Sequence, residues 1–155
     1  MAPRVVLRPV LEQDLPELFA QQLEYAAAPD DRATFNLRWS KILASSDVKV
    51  RTIVVDGQIV GYVAQFHRSD KAEVSYCLGK QYWDNGFATY ALRQFLGEIG
   101  VWPIYARVAK DNIRSVRVLE KCDFAILGED RFTDALGRSV EEYLFAFGGP
   151  SNATV

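Results

Sequence analysis

Asp56-Gly57, set between the runs VKVRTIVV and QIVGYVAQFHR, constrains the fold more than any other feature of this chain. Both flanks are rich in β-branched and aromatic residues, and glycine readily takes the positive φ of a two-residue hairpin turn. These two strands are therefore antiparallel neighbours. The polar turn SDK, followed by AEVSYCLG (72–79), adds a third strand to the same meander.

Helical periodicity appears on either side of that meander. RVVLRPV (4–10) predicts an opening strand, with Pro9 marking its end or a sheet edge. EQDLPELFAQQLEY then predicts a helix, with Asp14 as N-cap, Pro16 in the first turn, Glu17 three residues after the cap, and Leu15, Leu18, Phe19 and Leu23 as its apolar face. RATFNLRWSKILASS predicts a second helix through Phe35, Trp39, Ile42 and Leu43. Beyond the meander, a helix from Gly86 to about Glu98 buries Ala88, Ala91, Leu92, Phe95 and Ile99, and WPIYARVA forms a strand. KDNIRSVRVLEKCDF forms a helix capped by Asp111 or Asn112, with Ile113, Val116, Leu119 and Cys122 turned inward. Strands at about 124–132 and 141–147 close the sheet around DALGR. The order β-α-α-β-β-β-α-β-α-β-β implies an α+β, three-layer domain: a mixed sheet of about seven strands flanked by about four helices. The expected organisation is one domain over 1–148, with a C-terminal tail over 149–155.

Composition narrows the function classes. A chain of 155 residues with 49% hydrophobic and 25% charged residues is expected to fold as one soluble domain, and a net charge of −2 gives no global pull toward nucleic acid or membrane. No apolar run is long enough to span a bilayer and MAPRVVLRPV does not resemble a signal peptide, so a cytoplasmic location is expected. Cys77 and Cys122 lie apart in apolar surroundings, and His67 is the single histidine. Buried free thiols are expected, and no metal site.

WDNGFATYAL (83–92) is where chemistry first enters. A strand, a turn and a helix opening at Gly86 place unpaired backbone N–H groups at the positive end of a helix dipole, an arrangement suited to pyrophosphate. Glycine serves either to let phosphate approach the backbone or simply to bend the chain, and G-x-G-x-x-G and Walker-type loops are both absent.

Taken together, AEVSYCLGKQYWDNGFATYAL and NIRSVRVLEKCDF resemble the GNAT superfamily of coenzyme-A-dependent N-acyltransferases, specifically its RimJ/RimL-like branch, over nearly the whole chain. The resemblance implies acetyl-CoA as cosubstrate, with its pyrophosphate held by Trp83, Asp84, Asn85, Gly86, Phe87, Ala88 and Thr89. Trp83 stands where the family pattern has Arg or Gln. It further implies backbone contacts from Tyr76, Cys77 and Leu78 to the pantetheine arm, which wedges between two splayed strands. By this resemblance Asn112 is expected to contact that arm and Ser115 to lie near the sulfur, as the proton donor that replaces the family's frequent tyrosine, here Leu119. By the same resemblance Glu73 takes the proton from the attacking amine, directly or through water. Tyr25, Phe35 and Trp39 are expected to line the acceptor side. The implied activity is acetyl transfer to a primary amine, either a protein N-terminus or a small molecule. A CoA-binding module without turnover and a nucleotide-binding regulatory domain are the competing readings. The oligomeric state is open, with a homodimer among the options.

Overall fold

A computed structural model describes residues 4–24 and 31–148. Seven strands form one sheet: β1 (Val5–Pro9), β2 (Lys49–Val55), β3 (Gln58–Arg68), β4 (Lys71–Leu78), β5 (Ile104–Ala109), β6 (Ala125–Thr133) and β7 (Ser139–Phe147). The helices are α1 (Leu15–Leu23), α2 (Arg32–Ala44), α3 (Phe87–Ile99) and α4 (Ile113–Lys121). Strand order is β1-β2-β3-β4-β5-β7-β6, and only β4 and β5 run parallel. The sequence therefore yields the expected mixed architecture, with strand ends shifted by one to two residues.

Tight turns set the meander as expected. Asp56 and Gly57 both have positive φ (50° and 80°), and so do Ser69 and Asp70 (51° and 67°), so both β2–β3 and β3–β4 are closed by the doubly left-handed turns that suit strand twist. Gly61 on β3 is needed for a different reason: a Cβ there would overlap the Cys77 carbonyl oxygen on β4.

Side-chain alternation divides the core between the two faces of the sheet. On one face Val63, Ala72, Val74, Leu78, Ile104 and Phe145 pack against Leu92, Phe95 and Ile99 of α3 and Leu119 of α4. On the other, Val50 and Ala64 meet Leu15 and Leu18 of α1 and Phe35 and Trp39 of α2. Three expectations need correction. Asp14 precedes α1, but its carboxylate does not cap that helix. Instead it is buried and accepts bonds from Arg8 (2.7 and 2.9 Å), the Leu11 N–H (2.8 Å) and the Thr52 hydroxyl (2.9 Å). Burial pushes its carboxyl up, but the Arg8, Leu11 and Thr52 bonds and the Arg8 charge outweigh burial and hold it below the usual range. Ile113 is exposed, because it occupies the first position of α4, ahead of the turn that packs down. Leu23 and Leu43, in the last turns of α1 and α2, are exposed as well.

Candidate active site

The site originates in the two unlike edges of β4. Toward β3 it is paired without a break from Gly61–Leu78 to Arg68–Lys71. The Gly79 N–H extends the ladder by donating to Val60 O (3.0 Å). Antiparallel bonding alternates along a strand, so residues 73, 75 and 77 direct their backbone groups to β3, and Val74, Tyr76 and Leu78 direct theirs toward β5. Toward β5, however, the register contains one pair, Glu73–Tyr105. Beyond it the strands part, and the backbone groups of Tyr76 and Leu78 face the opening.

A cleft of about 580 Å³ fills that opening, within the size range of small-molecule sites. Tyr76, Cys77 and Leu78 supply its strand wall, Trp83, Asp84, Gly86, Phe87, Ala88 and Thr89 its turn, and Asn112 and Ser115 the start of α4. Eleven of the residues expected from sequence are thus brought to one place. Asn85 stands beside the cleft and braces the turn, its carboxamide N–H₂ donating to Tyr82 O (3.2 Å) and Trp83 O (3.0 Å).

The turn itself is donor-rich. Gly86 is the N-cap of α3 at φ 78° and ψ 2°, a left-handed conformation that side chains disfavour, and Asp84 is left-handed too (φ 64°). Chain neighbours aside, the nearest atom to where a Gly86 Cβ would stand is Tyr90 Cε2 at 3.8 Å, an ordinary contact, so the demand for glycine is conformational rather than a matter of room inside the chain. Tyr90 is the first residue whose N–H is bonded into the helix, to Gly86 O (3.1 Å). The N–H groups of Phe87, Ala88 and Thr89 have no acceptor within α3, and glycine has no side chain to cap them. Three donors therefore converge at the positive end of a 13-residue helix, facing the cleft.

Trp83 is more than the neutral stand-in that the sequence pattern suggests. Its indole N–H donates to Leu78 O (3.1 Å), so it ties the turn to the end of β4 and occupies a carbonyl expected to be free for a ligand. Arg114 lies over its ring at 4.7 Å and Lys80 at 5.8 Å, and Arg114 is also paired with Asp84 (3.1 and 3.3 Å).

Tyr76 brings its phenol as well as its backbone into the cleft. The hydroxyl donates to Ser115 O (3.5 Å), and burial pushes the phenol up to about 12 against the opposing effect of that bond, so it stays protonated at neutral pH. Asn112 caps α4, its carboxamide oxygen accepting from the Ser115 N–H (3.3 Å). Burial also raises both thiols, Cys77 to about 12 with help from the Glu24 charge and Cys122 to about 11, which leaves them poor nucleophiles.

Glu73 lies outside the cleft lining, on the opposite face of β4 and at the single residue where β4 and β5 meet. It is 4% exposed and is paired with Arg68 (3.2 Å) and Arg107 (3.6 Å). Arg107 in turn reaches Glu142 (3.1 Å) and Asp130 (3.3 Å). Phe35 and Trp39, expected on the acceptor side, are instead core residues, 1% and 4% exposed, because the period that suggested a pocket wall is equally that of a packed helix face. Tyr25 lies outside the described residues. Sequence reasoning missed Tyr82, Arg114, Arg117, Val118 and Lys121, all of which line the cleft. The i, i+3, i+7 spacing of Arg114, Arg117 and Lys121 was the available signal for a basic helix face.

Comparisons with known proteins bear on the fold and the family. Residues 4–125 match the family model described as an acetyltransferase (GNAT) domain. The uncharacterized N-acetyltransferase p20 of Bacillus licheniformis is 30% identical over 81 residues, which take in 49% of this chain and 46% of that protein, so the match spans under half of that relative. A GNAT-family acetyltransferase from Bacillus anthracis superposes with a TM-score of 0.81 at 18% identity, covering 96% of both chains. The microcin C7 self-immunity acetyltransferase MccE, solved with acetyl-CoA and AMP, does so with a TM-score of 0.77 at 19% identity over 93% of this chain and 92% of its own. These likenesses do not single out the RimJ/RimL-like branch. With the family model matching residues 4–125 of 155, this protein is a member of the GNAT acetyltransferase family.

Proposed function

We propose that this chain is an acetyl-CoA-dependent N-acetyltransferase that acetylates a primary amine, of the RimJ/RimL-like type that its motifs resemble. The carrying observation is the cleft at the β4–β5 split, where three unpaired helix N–H groups, the backbone edge of Tyr76 and the Leu78 N–H face one space. These donors suit the cosubstrate's diphosphate and its amide-bearing arm respectively, so the residues present fit the group. When bound it supplies a thioester carbonyl activated toward amines.

The chain then has to orient that carbonyl, donate hydrogen bonds to the oxygen and sulfur that gain charge, and remove a proton from the amine. The Leu78 N–H and its neighbours serve as carbonyl-orienting donors. Ser115 supplies a hydroxyl donor on the α4 side of the split, where the Tyr76 phenol, donating to the Ser115 carbonyl, ties α4 to β4. A CoA thiolate is a good leaving group, so a hydroxyl donor is sufficient there. Glu73 serves as the base from the opposite face. It stands three residues from Tyr76, roughly 10 Å along the strand, so the proton reaches it by way of water. Of its two cationic partners, Arg68 is 58% exposed and is the one an incoming ammonium would displace.

Incubation with acetyl-CoA and a panel of N-terminal peptides, polyamines and amino-sugar antibiotics, with free thiol followed, tests this reading. Acceptor-dependent thiol release is expected with at least one amine class. Tight acetyl-CoA binding with no release from any of them would favour a non-catalytic binding module instead.

A further inference from the structure

The basic face of α4 goes beyond what the diphosphate turn requires. Arg114, Arg117 and Lys121 follow one another at i, i+3 and i+7 and all line the cleft, whose wall contains a single carboxylate, Asp84. Arg114 is already committed, paired with Asp84 and stacked on Trp83. Arg117 and Lys121 are different: both are exposed, and neither has a carboxylate partner among the described residues. In a chain of net charge −2, two adjacent unpaired cations on one wall of a cleft form a local field of the opposite sign.

Their position along the cleft fixes what they could read. The start of α4 adjoins the β4 opening through the Tyr76–Ser115 contact and the turn through Arg114–Asp84. Its end lies past that turn, alongside α3, where Arg93 donates to Lys121 O (2.7 Å) and the Cys122 thiol to Thr89 O (3.5 Å). Arg117 and Lys121 are one helical turn apart, about 6 Å along the axis. They therefore line the cleft beside the first two turns of α3, on the part of α4 that leads away from Ser115 and the strand opening. A ligand with its thioester in the opening and its diphosphate at the turn carries its nucleoside end toward them.

We infer that Arg117 and Lys121 bind the 3′-phosphate on the ribose of CoA, so that the protein discriminates the CoA thioester from its 3′-dephospho counterpart. A guanidinium offers a paired N–H fork to phosphate oxygens and the ammonium adds a second charge, a combination suited to a terminal phosphate dianion. This inference rests on the acetyl-CoA reading above and adds specificity at the far end of the same cleft.

Titration calorimetry with acetyl-CoA and acetyl-3′-dephospho-CoA, at low and raised salt, tests it. The wild-type chain is expected to bind the 3′-phosphorylated donor at least about tenfold more tightly, with the preference shrinking as salt screens the exposed charges. In the Arg117→Ala/Lys121→Ala double variant the two donors should bind within about twofold of each other. Both side chains are exposed, so the fold should survive the change, and a circular-dichroism melt checks this. Equal wild-type affinity for the two donors, or a preference that persists in the double variant, overturns the inference while leaving the acetyl-CoA reading intact. Failure of the wild-type chain to bind either donor overturns both.

Discussion

The two edges of β4 make opposite use of the same kind of backbone. Along the β3 edge, hydrogen-bonding groups are consumed by an unbroken antiparallel ladder, reached through a tight turn and tolerant of no side chain at Gly61. Along the β5 edge a single register pair holds, and the groups beyond it are left facing a cleft. An unpaired backbone group away from water is unfavourable, so a sheet that parts in its middle must expose those groups to solvent or ligand. The difference shows that the closed edge supplies rigidity and the open edge supplies recognition, on one strand of eight residues.

Substitutions can break this contrast from either side. The largest effect is expected on the closed edge: Gly61→Ala places a methyl group against the Cys77 carbonyl and should destabilise the fold by about 3 kcal/mol or more, read as a lowered midpoint in urea unfolding. A midpoint within experimental error of wild type would show that the ladder yields there. On the open edge, Gly86→Glu combines strain at positive φ with negative charge at the α3 N-terminus, and should weaken acetyl-CoA binding about a hundredfold. Undiminished affinity in calorimetry would remove the turn from the site.

Glu73 sits where the two edges meet, and Glu73→Gln should reduce turnover at least about tenfold with acetyl-CoA affinity little changed. Normal turnover in that variant would take Glu73 out of the chemistry and leave it as the partner of Arg68 and Arg107. The smallest effect is expected of Trp83→Phe, which keeps the ring between Arg114 and Lys80 but removes the bond to Leu78 O. About 1 kcal/mol of stability should be lost. A much larger loss of acetyl-CoA affinity than of stability would make the indole N–H part of the recognition edge rather than a strut behind it.

Acid should act through a separate group, on the α1 side. Because Asp14 titrates below the usual carboxylate range in the folded chain, its stabilising contribution is present at neutral pH and is lost as the pH falls through its folded value. Asp14→Asn should flatten the acid limb of a stability-against-pH curve.

Much of the fold could be read before any coordinates because its signals are local. Asp56-Gly57 specifies a hairpin by backbone preference alone, and the apolar periods of α1 and α3 need no distant partner to be recognised. The turn at Gly86 was legible for the same reason, since a glycine at a helix start announces both its conformation and its free donors. What the sequence could not express was which apolar stripe faces a pocket and which faces a core. Phe35 and Trp39 have the same spacing in either case, and only packing against Leu18 and Ala64 decides between them.

Charge behaves similarly. Glu73 reads as an ordinary strand residue or as a base, yet its two arginine partners come from the end of β3 and from β5, brought together only when parallel and antiparallel strands meet. Arg114, Arg117 and Lys121 are regularly spaced in the sequence, but a basic helix face is commonly solvent-exposed, and only the placement of α4 across the opening of the sheet makes it the wall of a cleft. The sequence by itself determined the elements, their order and the donor-rich turn, because each depends on contacts within a few residues. The tertiary structure decided where the sheet parts and which charges line the gap, because those depend on residues that meet only after the chain has crossed the sheet.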